Sequence, residues 1–196
     1  MFYRSIAEFE TNASPSDAER ALIAACRAGE MCILGDGTLP AGPHDSRTIR
    51  AALLRLLITG GTPKCRLHPS GVWVVGAFVP DELDLSFETG KGRCALDNCR
   101  FAMKPHFAHA HLVHLSLQGS YLLGVFAHGI KVDGSISLRN VTAEGTVDLN
   151  FADIGRQLDC SEACFNGPLI EKEARGAATS WTTPTPRALR NRSSTA

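Results

Sequence analysis

Apolar residues recur in units of about 11 residues along the second half of the chain. Four consecutive units follow this period, and they begin at Val125, Ile136, Val147 and Leu158. Within each unit the residues at offsets 0, 2, 5 and 7 are apolar, so all sixteen positions comply, against about seven expected from a 44% hydrophobic composition. Glycines lie at or near the unit boundaries, at Gly134, Gly145, Gly155 and Gly167. This regularity predicts a structure built from stacked repeats.

The spacing inside each unit predicts strands rather than helices. An 11-residue period also occurs in right-handed helical coiled coils, but offsets 0 and 2 lie about 200° apart on an α-helix and on the same face of a strand. Each unit is therefore interpreted as two short strands with a corner between them, and two units, about 22 residues, form one coil. We expect Val125 to stack near Val147 and Ile136 near Leu158. The predicted fold class is mainly β, a right-handed parallel β-helix of four-sided section.

Looser units extend the same pattern toward the N-terminus as far as Val72. The spacing slips to about 10 residues around Leu115, where we expect an irregular corner. Three cysteines, Cys94, Cys99 and Cys160, occupy inward repeat positions, and we expect these small thiols to lie in the core. Cys164 falls on an outward position, so it should share no site with Cys160.

The chain before the repeats has the pattern of helices. One helix is expected to begin with Ser14 as its cap and to stop near Gly29. Residues 33–44 are rich in Gly and Pro and predict a loop. A second helix is expected from Asp45 to Gly60, with an apolar stripe on one side. This helix would cover the first coil, since the terminal repeat of a solenoid needs a cap.

The sequence therefore divides into three segments. These are a helical N-terminal cap over residues 1–70, a β-helix over 71–167 and a tail over 168–196. The tail has no apolar period and carries Arg187, Arg190 and Arg192 near its end, so we expect either a disordered basic segment or the altered end of a longer β-helix. An exposed last coil is also an unpaired strand edge, which predicts end-to-end pairing into a homo-oligomer.

Composition and charge exclude several classes of protein. Twenty basic and twenty acidic residues give a net charge of zero, which argues against nucleic-acid binding through bulk positive charge. The first residues lack a signal-peptide pattern, and the most apolar helical stretch, 49–59, is far shorter than the roughly 20 residues of a membrane span. Seven cysteines without a C-x-x-C pair favour reduced thiols in a cytoplasmic protein.

Several stretches carry a resemblance to a known family. Besides the helix residues 48–50 and the glycines 60–61, they are GVWVVGAFVPDELDL (71–85), CALDNCRF (94–101) and AEGTVDLNFADIGRQLDCSEACF (143–165). With them the chain resembles a bacterial β-helical family, related in style to pentapeptide-repeat proteins and often labelled "membrane-associated oxidoreductase". The resemblance covers about 120 of 196 residues and implies a β-helical fold in a short or truncated member. The label implies oxidoreductase activity and peripheral association with a membrane.

A run of histidines is the most metal-like feature of the sequence. If Ala110 and Leu112 point inward, His109 and His111 point outward and approach a shared ion, with His106 as a third candidate ligand. We expect His128, two units further along the chain than His106, to stack over it. Zinc sites normally take three or four ligands held by further partners, and no Cys or carboxylate lies within this run. The alternative is a solvated ladder of histidines that binds no metal.

Outward acidic residues raise the possibility of a nucleic-acid mimic. They are Asp84, Asp97, Asp148, Asp159 and Glu162. Over residues 71–167, 11 acidic and 7 basic residues give a net charge of −4. A mimic of the phosphate rail, at one charge per roughly 1.7 Å of axis, should be far more acidic. Solvated strand-face residues are the alternative.

These patterns predict an architecture more firmly than an activity. No G-x-G-x-x-G follows a strand and no C-x-x-C is present, so neither nucleotide nor dithiol chemistry is favoured and no cofactor is predicted. No serine lies in a motif that would activate it. The function expected is a non-enzymatic scaffold or protein-binding module that uses the outer faces of the solenoid. The alternatives are an oxidoreductase and a mimic acting on a DNA-binding protein; neither nucleic-acid binding nor a transmembrane span is expected.

Overall fold

The chain forms a helical N-terminal region followed by a parallel β-solenoid. The computed structural model describes residues 3–62 and 65–176. The helices of this part are α1 (Ile6–Ala13), α2 (Asp17–Ala28) and α3 (Ala51–Thr59). Its strands are β1 (Cys32–Ile33), β2 (Gly71–Val75), β3 (Phe78–Val79), β4 (Arg93–Asp97), β5 (Arg100–Phe101), β6 (His111–Leu112), β7 (His114–Ser116), β8 (Tyr121–Leu122), β9 (Val125–Phe126), β10 (Lys131–Val132), β11 (Ile136–Ser137), β12 (Thr142–Ala143), β13 (Val147–Asp148), β14 (Asp153–Ile154), β15 (Leu158–Asp159), β16 (Cys164–Phe165), β17 (Leu169–Ile170) and β18 (Arg175–Gly176).

The strands form four parallel sheets, which are the four faces of the solenoid. The first face has the order β1-β2-β4-β7-β11-β15, the second β3-β5-β8-β12-β16, the third β9-β13-β17 and the fourth β6-β10-β14-β18. Val125 pairs with Val147 and Ile136 with Leu158, as the repeat period predicts. About five coils of about 22 residues stack in this way, so the predicted four-sided parallel β-solenoid is confirmed.

The irregularity predicted around Leu115 is also present. The pairing of Leu115 with Ile136 closes a coil that is one residue shorter than the regular coils, and the pairing of His106 with Phe126 closes one that is two residues shorter. Later coils return to the regular length of about 22 residues, as between Val125 and Val147. The short coil from His106 to Phe126 changes which side chains lie over one another on the third face.

The core runs as one apolar cluster from the helices into the solenoid. Fifteen of the sixteen inward positions of the four regular units are buried. The exception is Phe165 in the last described coil, which is only partly buried and packs against the edge of the cluster. Gly145 and Gly155 line corners where a Cβ would come within 2.3 Å and 2.2 Å of a carbonyl oxygen in the preceding coil. Close stacking of the coils therefore requires glycine there.

The helices begin at different residues from those predicted. Ser16, rather than Ser14, caps α2, because its side chain and that of Glu19 form a reciprocal capping box. The helix ends at Gly29 as expected. The second predicted start at Asp45 is also too early, since α3 begins at Ala51. The preceding segment is held against the solenoid instead, with the Ile49 N–H donating to the carbonyl oxygen of Phe78 at 2.9 Å.

The predicted boundaries also change at both ends of the solenoid. The segment 1–70 is not purely helical, because β1 pairs with β2 and adds a strand to the first face. The pattern predicted to stop at Gly167 continues through β17 and β18, which pair with β13 and β14. Leu169 and Ala174 still take the apolar offsets 0 and 5, while Glu171 takes offset 2, which weakens the signal. The rest of the predicted tail, 177–196, lies outside the described residues, and end-to-end pairing stays a prediction.

Candidate binding surface

Two corners of the solenoid repeat the same unusual backbone conformation in every coil. We call the corner between the first and second faces the asparagine corner; it consists of Gly76, Asn98, Gly119, Asn140 and Glu162. We call the corner between the third and fourth faces the ring corner; it consists of Phe87, His109, Gly129, Phe151 and Glu173. All ten residues have φ between 49° and 80°, in the left-handed region. At each corner the backbone N–H donates to a carbonyl oxygen of the next coil, as Phe87 does to Ala108 at 2.9 Å.

The ring corner holds residues that this conformation disfavours. Glycine, asparagine, aspartate and histidine adopt left-handed φ values most readily, whereas a bulky phenylalanine there is an outlier. Phe87 at φ 61° is 78% exposed, and Phe151 at φ 58° is 50% exposed. Neither ring is buried in the core, so packing does not account for these residues.

Six rings of this corner and of the third face touch one another, three of them exposed and the three on the third face partly buried. We call them the ring strip; its members are Phe87, His106, His109, Phe126, His128 and Phe151. The centroids are 5.1 Å apart for Phe87 and His109, 5.6 Å for His109 and His128, and 5.2 Å for His128 and Phe151. Phe126 joins the strip through His128 at 6.4 Å and through His106 at 5.6 Å. The strip is a continuous set of six rings that crosses four coils.

The predicted stacking of His128 over His106 is wrong. Because His106 pairs with Phe126 across the short coil, His128 is displaced from His106 toward the ring corner. There it contacts His109, whose ring also covers Gly129 of the next coil. The short coil thus brings His128 into the ring strip.

The three histidines predicted as metal ligands have different neighbours. Nδ1 of His106 lies 3.8 Å from Glu82 Oε1, and His109 stacks on Phe87. Nε2 of His111 lies 2.8 Å from Asp133 Oδ1 on the fourth face. Over residues 3–62 and 65–176, no group of three or more His, Cys, Asp or Glu side chains is arranged to hold a metal ion. Metal binding by His106, His109 and His111 remains a prediction without geometric support.

The cysteines lie where the period predicts. Cys94 and Cys99 are fully buried, Cys160 is 2% exposed, and Cys164 is partly exposed. All seven cysteines are free thiols. Burial raises the pKa of Cys94, Cys99 and Cys160 to about 12, which disfavours the thiolate that nucleophilic or redox chemistry requires. These side chains are small apolar fillers of the core.

Three of the outward acidic residues build turns. The carboxylates of Asp84, Asp148 and Asp159 each accept the backbone N–H of the residue two positions later, at 2.8, 3.0 and 2.9 Å. Such Asx turns begin the corners. Hydrogen bonds from Ser161 hold the pKa of Asp159 below its ordinary value. Burial raises the pKa of Asp84, but hydrogen bonds from Ser86 outweigh it and the net shift is downward.

The outward acidic residues do not share one face. Asp97 and Asp159 belong to the first face, whereas Asp84 and Asp148 belong to the third. Glu162 stands on the asparagine corner. Their separation gives no contiguous acidic surface of the kind that a mimic of duplex nucleic acid needs.

A cleft opens between α3 and the first coil, beside the ring strip. It has a volume of about 470 Å³ and is lined by Tyr3, Arg50, Ala51, Ala52, Arg55, Asp81, Glu82 and Asp84. Arg50 donates to the buried Glu19 at 2.8 Å, and Arg55 forms an ion pair with Glu88. Glu82 reaches from the cleft wall toward His106 of the strip. The cleft and the ring strip are therefore adjacent parts of one surface.

Sequence reasoning identified only part of this surface. It singled out His106, His109 and His128 but not the phenylalanines. The missed signal is that Phe87, His109 and Phe151 take the same position in their coils, with His109 one coil after Phe87 and Phe151 two coils after His109. The cleft has no such signal, because α3 and the first coil meet only in the folded chain.

Comparison with known proteins adds no assignment to these observations. None of the helices in the described part of the chain combines the length and the hydropathy that crossing a membrane requires. No family model, curated protein or solved structure matches the chain.

Proposed function

We propose that this chain is a non-enzymatic β-solenoid binding module and that the ring strip is its binding surface. The observation that carries the proposal is Phe87, a phenylalanine that is 78% exposed and held at φ 61°. Contiguous exposed rings are typical of surfaces that bind another molecule, because binding removes their apolar area from water. Aromatic residues are also enriched in the centres of protein interfaces.

The conformation of Phe87 supports the same proposal. A left-handed conformation costs a residue with a side chain on the order of 1–2 kcal/mol, and an exposed ring recovers little of that by burial. The asparagine corner builds the same turn with Gly76, Asn98 and Asn140, which adopt the conformation at lower cost. The fold requires the left-handed turn but not a phenylalanine in it, and a strained residue that folding does not require is a sign of a functional position.

The geometry gives less support to the two alternative functions, an oxidoreductase and a nucleic-acid mimic. An oxidoreductase acting through thiols would need accessible thiolates, and burial raises the pKa of Cys26, Cys94 and Cys99 to about 12. A nucleic-acid mimic would need its carboxylates on one side of the rod. The resemblance to a β-helical family fits a scaffold with a binding surface and supplies no catalytic residue to compare.

The proposal is tested by selecting ligands that need the rings. A displayed random library of peptides of about 12 residues, long enough at about 3.3 Å per residue to cover the strip, is selected on the wild-type chain. Selected peptides are then measured on the double variant Phe87→Asn and Phe151→Asn. Asparagine keeps the left-handed backbone, as it does at Asn98 and Asn140, while removing the rings.

Val113→Ser with Leu123→Ser is the matched control, because these side chains are 45% and 44% exposed and lie outside the strip. We expect the ring variant to raise Kd by about tenfold or more and the control to leave it unchanged. Peptides that bind both variants like the wild type would contradict the proposal.

An absorbance spectrum and a metal analysis of the purified protein test the oxidoreductase alternative. A bound flavin would support that alternative and contradict the proposed non-enzymatic function.

A further inference from the structure

We propose that the ring strip and the adjoining cleft together bind an extended, basic segment of a partner protein, an inference that rests on the proposed binding function. The rings take the apolar and cationic side chains of this segment along the solenoid, and the cleft takes a lysine or arginine side chain at one end. Four features of the surface lead to this partner: its continuity, its charge, the state of its ring faces and its length.

The strip and the cleft meet at His106. Its ring contacts Phe126 of the strip at 5.6 Å, and its Nδ1 lies 3.8 Å from Glu82 in the cleft wall. Asp84, another wall residue, pairs with His106 in the third face. A chain lying along the rings is thus led directly to the carboxylates.

The cleft carries an excess of negative charge. Its lining includes the three carboxylates of Asp81, Glu82 and Asp84 and the two guanidinium groups of Arg50 and Arg55. Both guanidinium groups have acidic partners that do not line the cleft, and these are Glu19 and Glu88. Three carboxylates therefore line the cleft, while each of its two guanidinium groups is paired with a further carboxylate outside it, and this excess of negative charge favours a basic ligand and disfavours nucleic acids and other polyanions.

Other rings of this chain already carry a guanidinium group of their own chain. Arg93 lies 4.5 Å from the ring centroid of Trp73, and Arg100 lies 4.3 Å from that of Tyr121. Within the strip, Lys104 lies 5.5 Å from the ring centroid of Phe126, whereas the ring contacts of Phe87 and Phe151 are with His109 and His128. Their outer faces offer a cation from a partner the same cation–π contact, worth more when binding excludes water.

The dimensions of the strip suit an extended segment. From the coil of Phe87 to that of Phe151 there are three coil spacings of about 4.8 Å, or about 14 Å. An extended chain of four or five residues, at about 3.3 Å each, covers this distance. With the cleft included, the surface accommodates a short linear segment of a partner.

The test begins with the composition of the ring-dependent peptides from the selection described above. We expect Lys and Arg to exceed Asp and Glu by about twofold or more among them. For one such peptide, changing its basic residues to Gln should raise Kd by about tenfold. The protein variant Asp81→Asn with Glu82→Gln should raise the Kd of the original basic peptide by a similar factor. The peptide with Gln in place of its basic residues should bind this variant with the same Kd as the wild-type protein.

Glu30→Gln with Asp45→Asn is the matched charge control, because both residues are exposed in the N-terminal region and neither lines the cleft. It should leave every affinity unchanged. Ring-dependent peptides that are neutral or acidic would overturn the basic partner and keep the binding function. A complete lack of ring-dependent peptides would overturn the proposed function itself.

The remaining occupant to distinguish is the chain's own basic segment. Arg187, Arg190 and Arg192 follow the solenoid in the sequence. In the full chain, changing all three to Gln should leave peptide affinity unchanged. An affinity increase of about tenfold would show that this segment competes with the peptide for the strip. The occupant of the strip would then be the chain's own basic segment and not a partner protein.

Discussion

The asparagine corner and the ring corner share one backbone geometry and differ in chemistry. Both repeat left-handed residues, and both have a glycine in the same coil, Gly119 at one corner and Gly129 at the other. In each case the side chain of the coil before covers that glycine, Asn98 in one corner and His109 in the other. Stacking of the coils therefore sets the conformation at both corners, whatever the side chains are.

The difference lies in which residues accept this conformation. Four of the five residues of the asparagine corner favour it, Glu162 being the exception, and Asn98 adds a hydrogen bond from Nδ2 to the carbonyl oxygen of Gly37 at 2.9 Å. The ring corner has Phe87, His109 and Phe151 among its five residues, and their rings are exposed to solvent. One corner is suited to stability and the other retains strain together with exposed rings, which is the combination expected of a binding site.

Placing a ring at the asparagine corner should have the largest effect. In Asn98→Phe, the hydrogen bond to Gly37 is lost and a bulky residue is forced into the left-handed region, so we expect a loss of about 2–3 kcal/mol in the free energy of unfolding. Urea unfolding measures this. Asn98→Gly is the control, because it loses the hydrogen bond but not the conformation, and should cost about 1 kcal/mol. Equal losses in the two variants would contradict the role given to backbone strain.

Substituting the glycine of each corner with alanine should destabilise the asparagine corner more than the ring corner. A Cβ at Gly119 would lie 2.0 Å from Asn98 Oδ1, and that side chain is held by Gly37. A Cβ at Gly129 would lie 2.6 Å from His109 Nδ1, on an exposed ring that can turn away. We expect Gly119→Ala to cost about 2 kcal/mol and Gly129→Ala about 1 kcal/mol, measured by urea unfolding. The reverse order would show that the ring corner is the more rigid one.

Removing a ring should change stability little. Phe87→Asn relieves the strained conformation but loses the stacking on His109, so we expect the free energy of unfolding to stay within about 1 kcal/mol of the wild type. Thermal and urea unfolding both report it. A loss above about 3 kcal/mol, typical of a buried phenylalanine, would mean that the ring supports the fold and would remove the argument for a functional role.

The smallest effect should be a pH dependence common to both corners. Asp84 before the ring corner and Asp159 before the asparagine corner have pKa values lowered from 3.8, so each stabilises the fold above that pH. Their contributions should be lost as the pH falls further, through the pKa of the folded state. Asp84→Asn and Asp159→Asn keep an acceptor for the turn but do not titrate. Urea unfolding between about pH 2 and 6 should show a weaker acid loss in each variant.

A weaker loss of stability in acid in only one of these two variants would contradict the inference that the two aspartates stabilise their turns in the same way.

Glu19 provides a positive control for the same measurement. Burial raises its pKa, but hydrogen bonds from Arg50 and Ser16 lower it more, and the net shift is downward. Its contribution is therefore also lost as the pH falls below the ordinary value of 4.5.

Much of the solenoid could be predicted because its rules are local and periodic. Inward positions alternate along each strand, so the burial of Val125, Val147 and Cys94 follows from the pattern. The pattern is ambiguous where two local signals compete, as at Ser14 and Ser16, of which Ser16 caps α2. The apolar pattern ends at Gly167, before the solenoid does, because Glu171 interrupts the apolar positions while the backbone pairing continues.

The candidate site depended much less on local rules. His106, His109 and Phe87 could be assigned to coils, but their contacts depend on one shortened coil that moves His128 toward the ring corner. The cleft requires α3 to rest against the first coil, which is a long-range contact. Neither the length of one coil nor the docking of a helix is encoded in a repeating pattern.

The sequence by itself determined the strands, the inward side chains and the stacking period, because burial of alternate residues imposes a short-range pattern on the chain. Only the tertiary structure decided which outward side chains became neighbours. Those side chains are free of the packing constraint, and their distances depend on the register between coils. The ring strip and its cleft are products of that register, expressed in side chains that the core does not require.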